Sequence, residues 1–249
     1  MSLFYEDFGD GEPVVLVHGW PLSQRFWEAQ VGSFVAAGHR VVSYDRRGFG
    51  RSSRPWSGYD HGTFTADLAA VVDALGLTGV TLVGFSTGCA EAVTYAAGSD
   101  RVDRLVLGSP AVYPDPIAHE LMTACRWHRI PMLDDVLLRF FAVDGHSALD
   151  ERTRLYLLGL AADASPQGTA DSLAAWGSAD PAADLSRVTV PTLIVQGEGD
   201  AFVPPRDGGA RLERAIAGSA LVTIPDAPHG APLTHAEQWN RSLLEFLAG

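Results

Sequence analysis

Three side chains in this sequence have the types and the order that acyl transfer needs. Ser86 lies in Gly84-Phe85-Ser86-Thr87-Gly88, directly after the apolar run Val80-Thr81-Leu82-Val83 and before a helical pattern through Ala90, Ala92, Val93 and Ala96. A serine on so sharp a strand-to-helix turn projects its hydroxyl above the sheet, and the flanking glycines let the two backbones approach closely. A plain glycine-rich turn with a helix-capping serine would use the same residues; the strand before and the helix after favour a nucleophile. A serine hydroxyl attacks poorly until a base takes its proton, and the base must be held in one tautomer by a carboxylate. His229 stands in Pro225-Asp226-Ala227-Pro228-His229-Gly230, just beyond the apolar run ending at Ile224. Asp200 ends Gln196-Gly197-Glu198-Gly199-Asp200, just beyond the run Leu193-Ile194-Val195. Both positions are carboxyl ends of strands, where alternating strand–helix sheets keep their working groups.

Acyl transfer also needs donors for the oxyanion that develops on the substrate carbonyl. The amide of the residue after the nucleophile, Thr87, supplies one. The second comes from His18-Gly19-Trp20-Pro21, which follows the run Val14-Val15-Leu16-Val17. Trp20 is the donor expected there, because Pro21 has no N–H to give. His18 is read as a brace for this loop rather than a group that titrates in the reaction.

The elements that must position these groups are legible as a pattern. Short β-branched runs recur at residues 14–17, 41–44, 80–83, 105–107, 193–195 and 221–224, each bounded by glycine, proline or a charge. Continuous apolar runs of this kind read as strands buried on both faces of a parallel sheet. Helical periodicity lies between them, so the fold class is α/β, a mostly parallel, doubly wound sheet. Residues 3–8 alternate and run into Gly9-Asp10-Gly11, a hairpin signal. From residue 111 to 185 the strands stop, and helical stretches follow at 117–129, 132–143, 150–163 and 167–176. These either pack on the sheet or form an inserted lid over its carboxyl edge. Pro110, Pro114 and Pro116 on one side, and Pro181 and Pro191 on the other, suit the borders of an insertion. The expected organisation is therefore a core of residues 1–110 and 186–249 with a helical lid of 111–185.

Composition narrows the chemistry further. All 18 basic residues are arginine against 30 acidic ones, for a net charge of −12. Without lysine there is no Schiff base, no pyridoxal anchor and no phosphate-loop lysine. An acidic chain lacks the footprint for nucleic acid or an anionic membrane. Cys89 and Cys125 suit buried small apolar positions, and His119, His128 and His146 lack zinc-like spacing, so neither metal nor cofactor is expected. Arg46, Arg47, Arg51 and Arg54 read as a braced turn, and Trp127, Phe140, Phe141 and Trp176 as lid core. The start of the chain shows no secretory pattern, which makes the cytoplasm the default compartment.

The motifs His18-Gly19-Trp20-Pro21, Tyr44-Asp45-Arg46-Arg47-Gly48-Phe49-Gly50-Arg51-Ser52 and Gly84-Phe85-Ser86-Thr87-Gly88 together resemble the cofactor-free haloperoxidase/aryl-esterase family of α/β-hydrolases. So do Gly197-Glu198-Gly199-Asp200-Ala201-Phe202-Val203-Pro204, the segment from Ala227-Pro228-His229-Gly230 to Thr234-His235-Ala236-Glu237, and the lid's end from Leu158 through Trp176. The resemblance implies an α/β-hydrolase fold with a helical lid. It also implies a Ser–His–Asp esterase able to pass its acyl group to hydrogen peroxide, halogenation following from released peracid without metal or haem. The chain departs from the family in three places. It begins where the family's second strand would. Residues 111–148 are short and do not read like the family, and Thr87 and Cys89 stand where methionine and glycine are more usual. The expected partner is a small-molecule ester or lactone, with self-association left open. The alternatives are a lactonase or C–C bond hydrolase on the same triad, or a non-catalytic ligand receptor.

Overall fold

The computed structural model describes residues 1–178 and 182–249. The first half alternates strand and helix: β1 (Tyr5–Phe8), β2 (Pro13–Val17), α1 (Glu28–Ala36), β3 (Arg40–Tyr44), α2 (His61–Ala74), β4 (Val80–Phe85), α3 (Gly88–Gly98) and β5 (Val102–Gly108). Then come α4 (Ile117–Phe140), β6 (Ala142–Val143), β7 (His146–Ser147), α5 (Glu151–Asp163), α6 (Pro166–Ser178) and α7 (Ala182–Leu185). The alternation resumes with β8 (Thr192–Gly197), α8 (Gly209–Ala215), β9 (Ala220–Ile224), α9 (Ala231–Thr234) and α10 (Ala236–Ala248).

Seven strands form one sheet in the order β1-β3-β2-β4-β5-β8-β9. Every pairing is parallel except β1 with β3. The apolar runs are continuous because each face of the sheet meets its own core. Val14 and Leu16 enter one layer with Leu133, Leu137 and Phe140 of α4, while Val15 and Val17 enter the other with Leu68, Val72 and Val93. Alternate side chains of a strand point to opposite faces, so a strand covered on both must be apolar throughout.

Four expectations need correction. The Gly9-Asp10-Gly11 turn does not close a hairpin, since β1 pairs with β3, Tyr5 opposite Tyr44. Gly9 has φ 79°, and a Cβ on Gly9 or Gly11 would strike the backbone of residues 38 and 39. The turn crosses over the α1–β3 connection and delivers β2 to the far side of β3. β9 is not buried on both faces: it is the sheet's edge, and only Ile224 of its five residues is buried. Segment 111–185 is not strand-free, because β6 and β7 pair as a minimal ladder. Its first two helices are the two arms of α4, which meet at a kink where His128 leaves helical geometry (φ −139°, ψ 41°) ahead of Pro131, close to the expected gap between 129 and 132. Trp127, just before that kink, faces outward with 80% exposure, whereas Phe140, Phe141 and Trp176 are buried as expected. Pro181 lies outside the described residues.

Candidate active site

The turn from β4 into α3 carries Ser86 with φ 52°. A left-handed backbone at a non-glycine residue costs about 1–3 kcal/mol and persists only where its surroundings enforce it. Here Ser86 N–H donates to Gly108 O at 2.9 Å and Ala111 N–H donates to Ser86 O at 3.1 Å, fixing the turn from the neighbouring strand. Glycine is required on both sides. A Cβ on Gly84 would lie 2.8 Å from Cys89 Cα, and one on Gly88 would lie 2.7 Å from His18 O.

β8 delivers Asp200 and β9 delivers His229, each just past the strand's carboxyl end. The structure brings all three sequence-predicted residues together: His229 Nε2 lies 3.0 Å from Ser86 Oγ, and His229 Nδ1 lies 2.9 Å from Asp200 Oδ2. Asp200 Oδ1 accepts the N–H groups of Phe202 and Val203 at 3.0 and 2.8 Å, which fixes the side chain with Oδ2 turned to His229. With that acceptor on its Nδ1, His229 carries its proton there and presents a bare Nε2 to the serine hydroxyl. Ser86, Asp200 and His229 are all buried. The aromatic rings of Phe85, Phe140 and Phe202 enclose the imidazole at centroid distances of 5.3, 4.7 and 5.2 Å. The His229 loop is tied from both sides: Ser109 Oγ donates to His229 O at 2.8 Å, and Gly230 N–H donates to Phe140 O at 2.8 Å.

The loop after β2 folds against the elbow. A Cβ on Gly19 would meet Ser86 Cβ at 2.8 Å, so glycine alone allows this approach. His18 braces the loop as expected: Nδ1 donates to Gly19 O at 2.9 Å and Nε2 accepts the Arg46 N–H at 3.0 Å. Burial, helped by the nearby Arg46 charge, holds its pKa down at about 3. The Trp20 indole donates to Thr169 O of α6 at 2.9 Å, pinning the loop to the inserted helices. The Trp20 backbone N–H does not stand open as expected. It donates to Thr87 Oγ1 at 2.9 Å. The Thr87 N–H, by contrast, has no acceptor among the described residues.

Sequence reasoning missed two supports. Gln196 is buried on β8 and holds Asp200: its Nε2 donates to Asp200 Oδ2 at 3.0 Å and to Val203 O at 2.7 Å, while Oε1 accepts Gly209 N–H at 2.6 Å. The available signal was a lone amide ending an otherwise apolar strand. The second is a buried ion pair, Arg46 Nε to Glu91 Oε1 at 2.8 Å, between the β3 loop and α3. Burial pushes the Glu91 carboxyl up to about 7 against the pull of Arg46. The other arginines of that loop meet carboxylates too: Arg47 with Asp67, Arg51 with Glu6 and Arg54 with Asp163. Among the described residues, no three His, Cys, Asp or Glu side chains converge as a metal centre needs, and no helix is long and apolar enough to cross a membrane.

Known proteins share this arrangement of elements. The α/β hydrolase family model matches residues 14–241. A putative non-heme chloroperoxidase of Synechocystis sp. is 40% identical, covering 99% of this chain and 95% of the relative. A bifunctional esterase/perhydrolase of Acinetobacter calcoaceticus is 32% identical, covering 99% and 96%. The crystal structure of a bromoperoxidase from Bacillus anthracis superposes with a TM-score of 0.96 at 41% identity, covering 99% of this chain and 95% of that one. The chain therefore belongs to the α/β-hydrolase family, beside the non-heme haloperoxidases.

Proposed function

We propose that this hydrolase cleaves carboxylic esters through an acyl-enzyme on Ser86. The observation that carries the reading is the unbroken chain from Ser86 Oγ through both nitrogens of His229 to Asp200. Ser86 Oγ attacks the ester carbonyl carbon while His229 Nε2 takes its proton. The tetrahedral oxyanion collapses, and the leaving alcohol departs with that proton. Water then gives a proton to His229 and attacks the acyl carbon, releasing the acid and restoring Ser86. Asp200 stabilises the imidazolium at each stage. The Thr87 amide, which meets no acceptor among the described residues, receives the oxyanion. If hydrogen peroxide replaces water in the second half, the product is a peracid, and no other step changes. The esterase/perhydrolase relative supports this side activity. A lactone is a cyclic ester and needs the same groups.

In this reading residues 1–110 and 186–249 are the catalytic core and 111–185 the lid, because Phe140 of α4 and Thr169 of α6 touch the site directly. Purified protein should hydrolyse p-nitrophenyl acetate, and Ser86→Ala should not. A panel of esters and lactones of graded chain length, run with both proteins, defines the acyl and alcohol groups. Bromination of monochlorodimedone in acetate ester, bromide and peroxide, without added metal, reports peracid; equal rates with Ser86→Ala would reject perhydrolysis.

A further inference from the structure

Thr87 holds two hydrogen-bond protons beside the expected nucleophile that no described protein group accepts. One is its backbone N–H. The other is its hydroxyl proton. A hydroxyl has one proton to donate and two lone pairs that accept, and both lone pairs of Thr87 Oγ1 are taken. The Trp20 N–H donates to it at 2.9 Å, and Arg46 Nη1 donates to it at 3.3 Å. Arg46 is itself fixed by Glu91, whose Oε2 accepts from Nη2 at 3.3 Å. The Trp20 amide, which the sequence assigns to the oxyanion, therefore ends on the threonine oxygen.

Resting on the acyl-enzyme reading above, we propose that Thr87 donates twice to the oxyanion, through its N–H and through its hydroxyl, and that Trp20 acts through it. The N and Oγ1 atoms of one threonine are close enough for a single acceptor oxygen to take both protons. Two donors pointing at Oγ1, one of them a guanidinium, polarise its O–H and strengthen it as a donor. The hydroxyl is thus a catalytic group rather than packing. Its position is set by a buried ion pair that itself touches no substrate. Methionine, the residue more usual in the resembling family, could neither accept from the Trp20 amide in this way nor donate.

The test compares Thr87→Val, which keeps the shape and loses the hydroxyl, with Thr87→Ser, which keeps the hydroxyl. Losing one oxyanion donor costs about 10²- to 10³-fold in kcat. Thr87→Val should fall by that factor on p-nitrophenyl acetate with KM little changed, and Thr87→Ser should recover most of the loss. A trifluoromethyl ketone, which forms an oxyanion on Ser86, should bind Thr87→Val more weakly by a similar factor. Should Thr87→Val fold poorly in thermal melts, Thr87→Ala, which also lacks the hydroxyl, takes its place in both measurements, with the same losses expected and wild-type values overturning the inference. Wild-type kcat in folded Thr87→Val, while Ser86→Ala is inactive, overturns this inference and leaves the acyl-enzyme intact. A faster Thr87→Val also overturns it, because the hydroxyl would then be blocking the Trp20 amide. Turnover in Ser86→Ala would instead defeat the underlying reading.

Discussion

Replacing Asp200 by asparagine should disable His229 without emptying the site, and the surrounding hydrogen bonds dictate how. Two backbone N–H groups, from Phe202 and Val203, point at Oδ1, so the asparagine carbonyl oxygen must sit there. Its NH₂ then replaces Oδ2, facing His229 Nδ1 and Gln196 Nε2. Gln196 cannot turn to present its oxygen, because that oxygen accepts Gly209 N–H and its nitrogen also serves Val203 O. The imidazole can move its proton instead. Nδ1 becomes an acceptor for the asparagine NH₂, the proton goes to Nε2, and Nε2 now donates to Ser86 rather than receiving its proton. A histidine held in the wrong tautomer costs about 10⁴ in kcat, or about 5 kcal/mol of barrier. The two donors left facing each other at Gln196 should also lower stability by about 1–3 kcal/mol. Steady-state p-nitrophenyl acetate hydrolysis and urea unfolding measure the two effects separately. Folded Asp200→Asn retaining more than about a tenth of wild-type kcat would refute the tautomer argument, whose expected loss is far larger.

Other perturbations act through the same framework. Gly19→Ala places a Cβ 2.8 Å from Ser86 Cβ and 3.0 Å from Phe85 O; the resulting shift should cut kcat by about 10² and stability by about 1–3 kcal/mol. Assays and melts that match wild type would show that the loop yields freely. Burial raises the Glu91 pKa to about 7, so just below neutral pH the folded chain already favours the neutral carboxyl. Glu91→Gln, its neutral isostere, should therefore change urea stability there by no more than about 1 kcal/mol. The loss of about 3–5 kcal/mol expected for breaking a fully ionised buried pair would contradict that shift. The pH dependence of stability contains two opposed contributions. His18 has its pKa lowered from 6.5 to about 3, so the unfolded chain binds more protons in that window and stability rises with pH. Glu91 has its pKa raised from 4.5 to about 7, so the folded chain binds more protons and stability falls with pH. The two slopes oppose each other where the windows overlap. His18→Gln removes one, so relative to wild type the variant should lose roughly 1.4 kcal/mol per pH unit as pH rises from about 5 to about 6.5. Identical pH dependence in both proteins would contradict the burial-lowered pKa of His18.

The sequence revealed most where local pattern and global role coincide. The parallel strands were legible because their two-sided burial demands uninterrupted apolar runs, as in Val14-Val15-Leu16-Val17. Ser86, Asp200 and His229 were legible because each follows such a run at a strand's carboxyl end. Pairing across the sheet was not. Gly9-Asp10-Gly11 has the composition of a hairpin, yet whether the chain folds back beside β1 or crosses over β3 depends on the strand 35 residues further on. Nor does the run at 221–224 disclose that β9 lies at an edge, since edge position depends on which strand comes next to it in space. Contacts between distant polar groups were equally hidden. Trp20 and Thr87 are 67 positions apart, and no spacing rule links an amide after β2 with a hydroxyl after β4. The kink at His128 arises where Pro131 removes a helical N–H, a signal visible in the sequence but read there as a gap between helices.

The central claim is a covalent acyl group on Ser86, and acid-quenched samples taken early in p-nitrophenyl acetate turnover test it directly. Mass spectrometry of the digested protein should find one acetyl group on the peptide containing Ser86 in the wild type and none in Ser86→Ala, which should also be inactive. Because Asp200→Asn slows formation of the adduct, it should accumulate more slowly in that variant. An acetyl group on any other residue, or steady turnover by Ser86→Ala, would contradict the account.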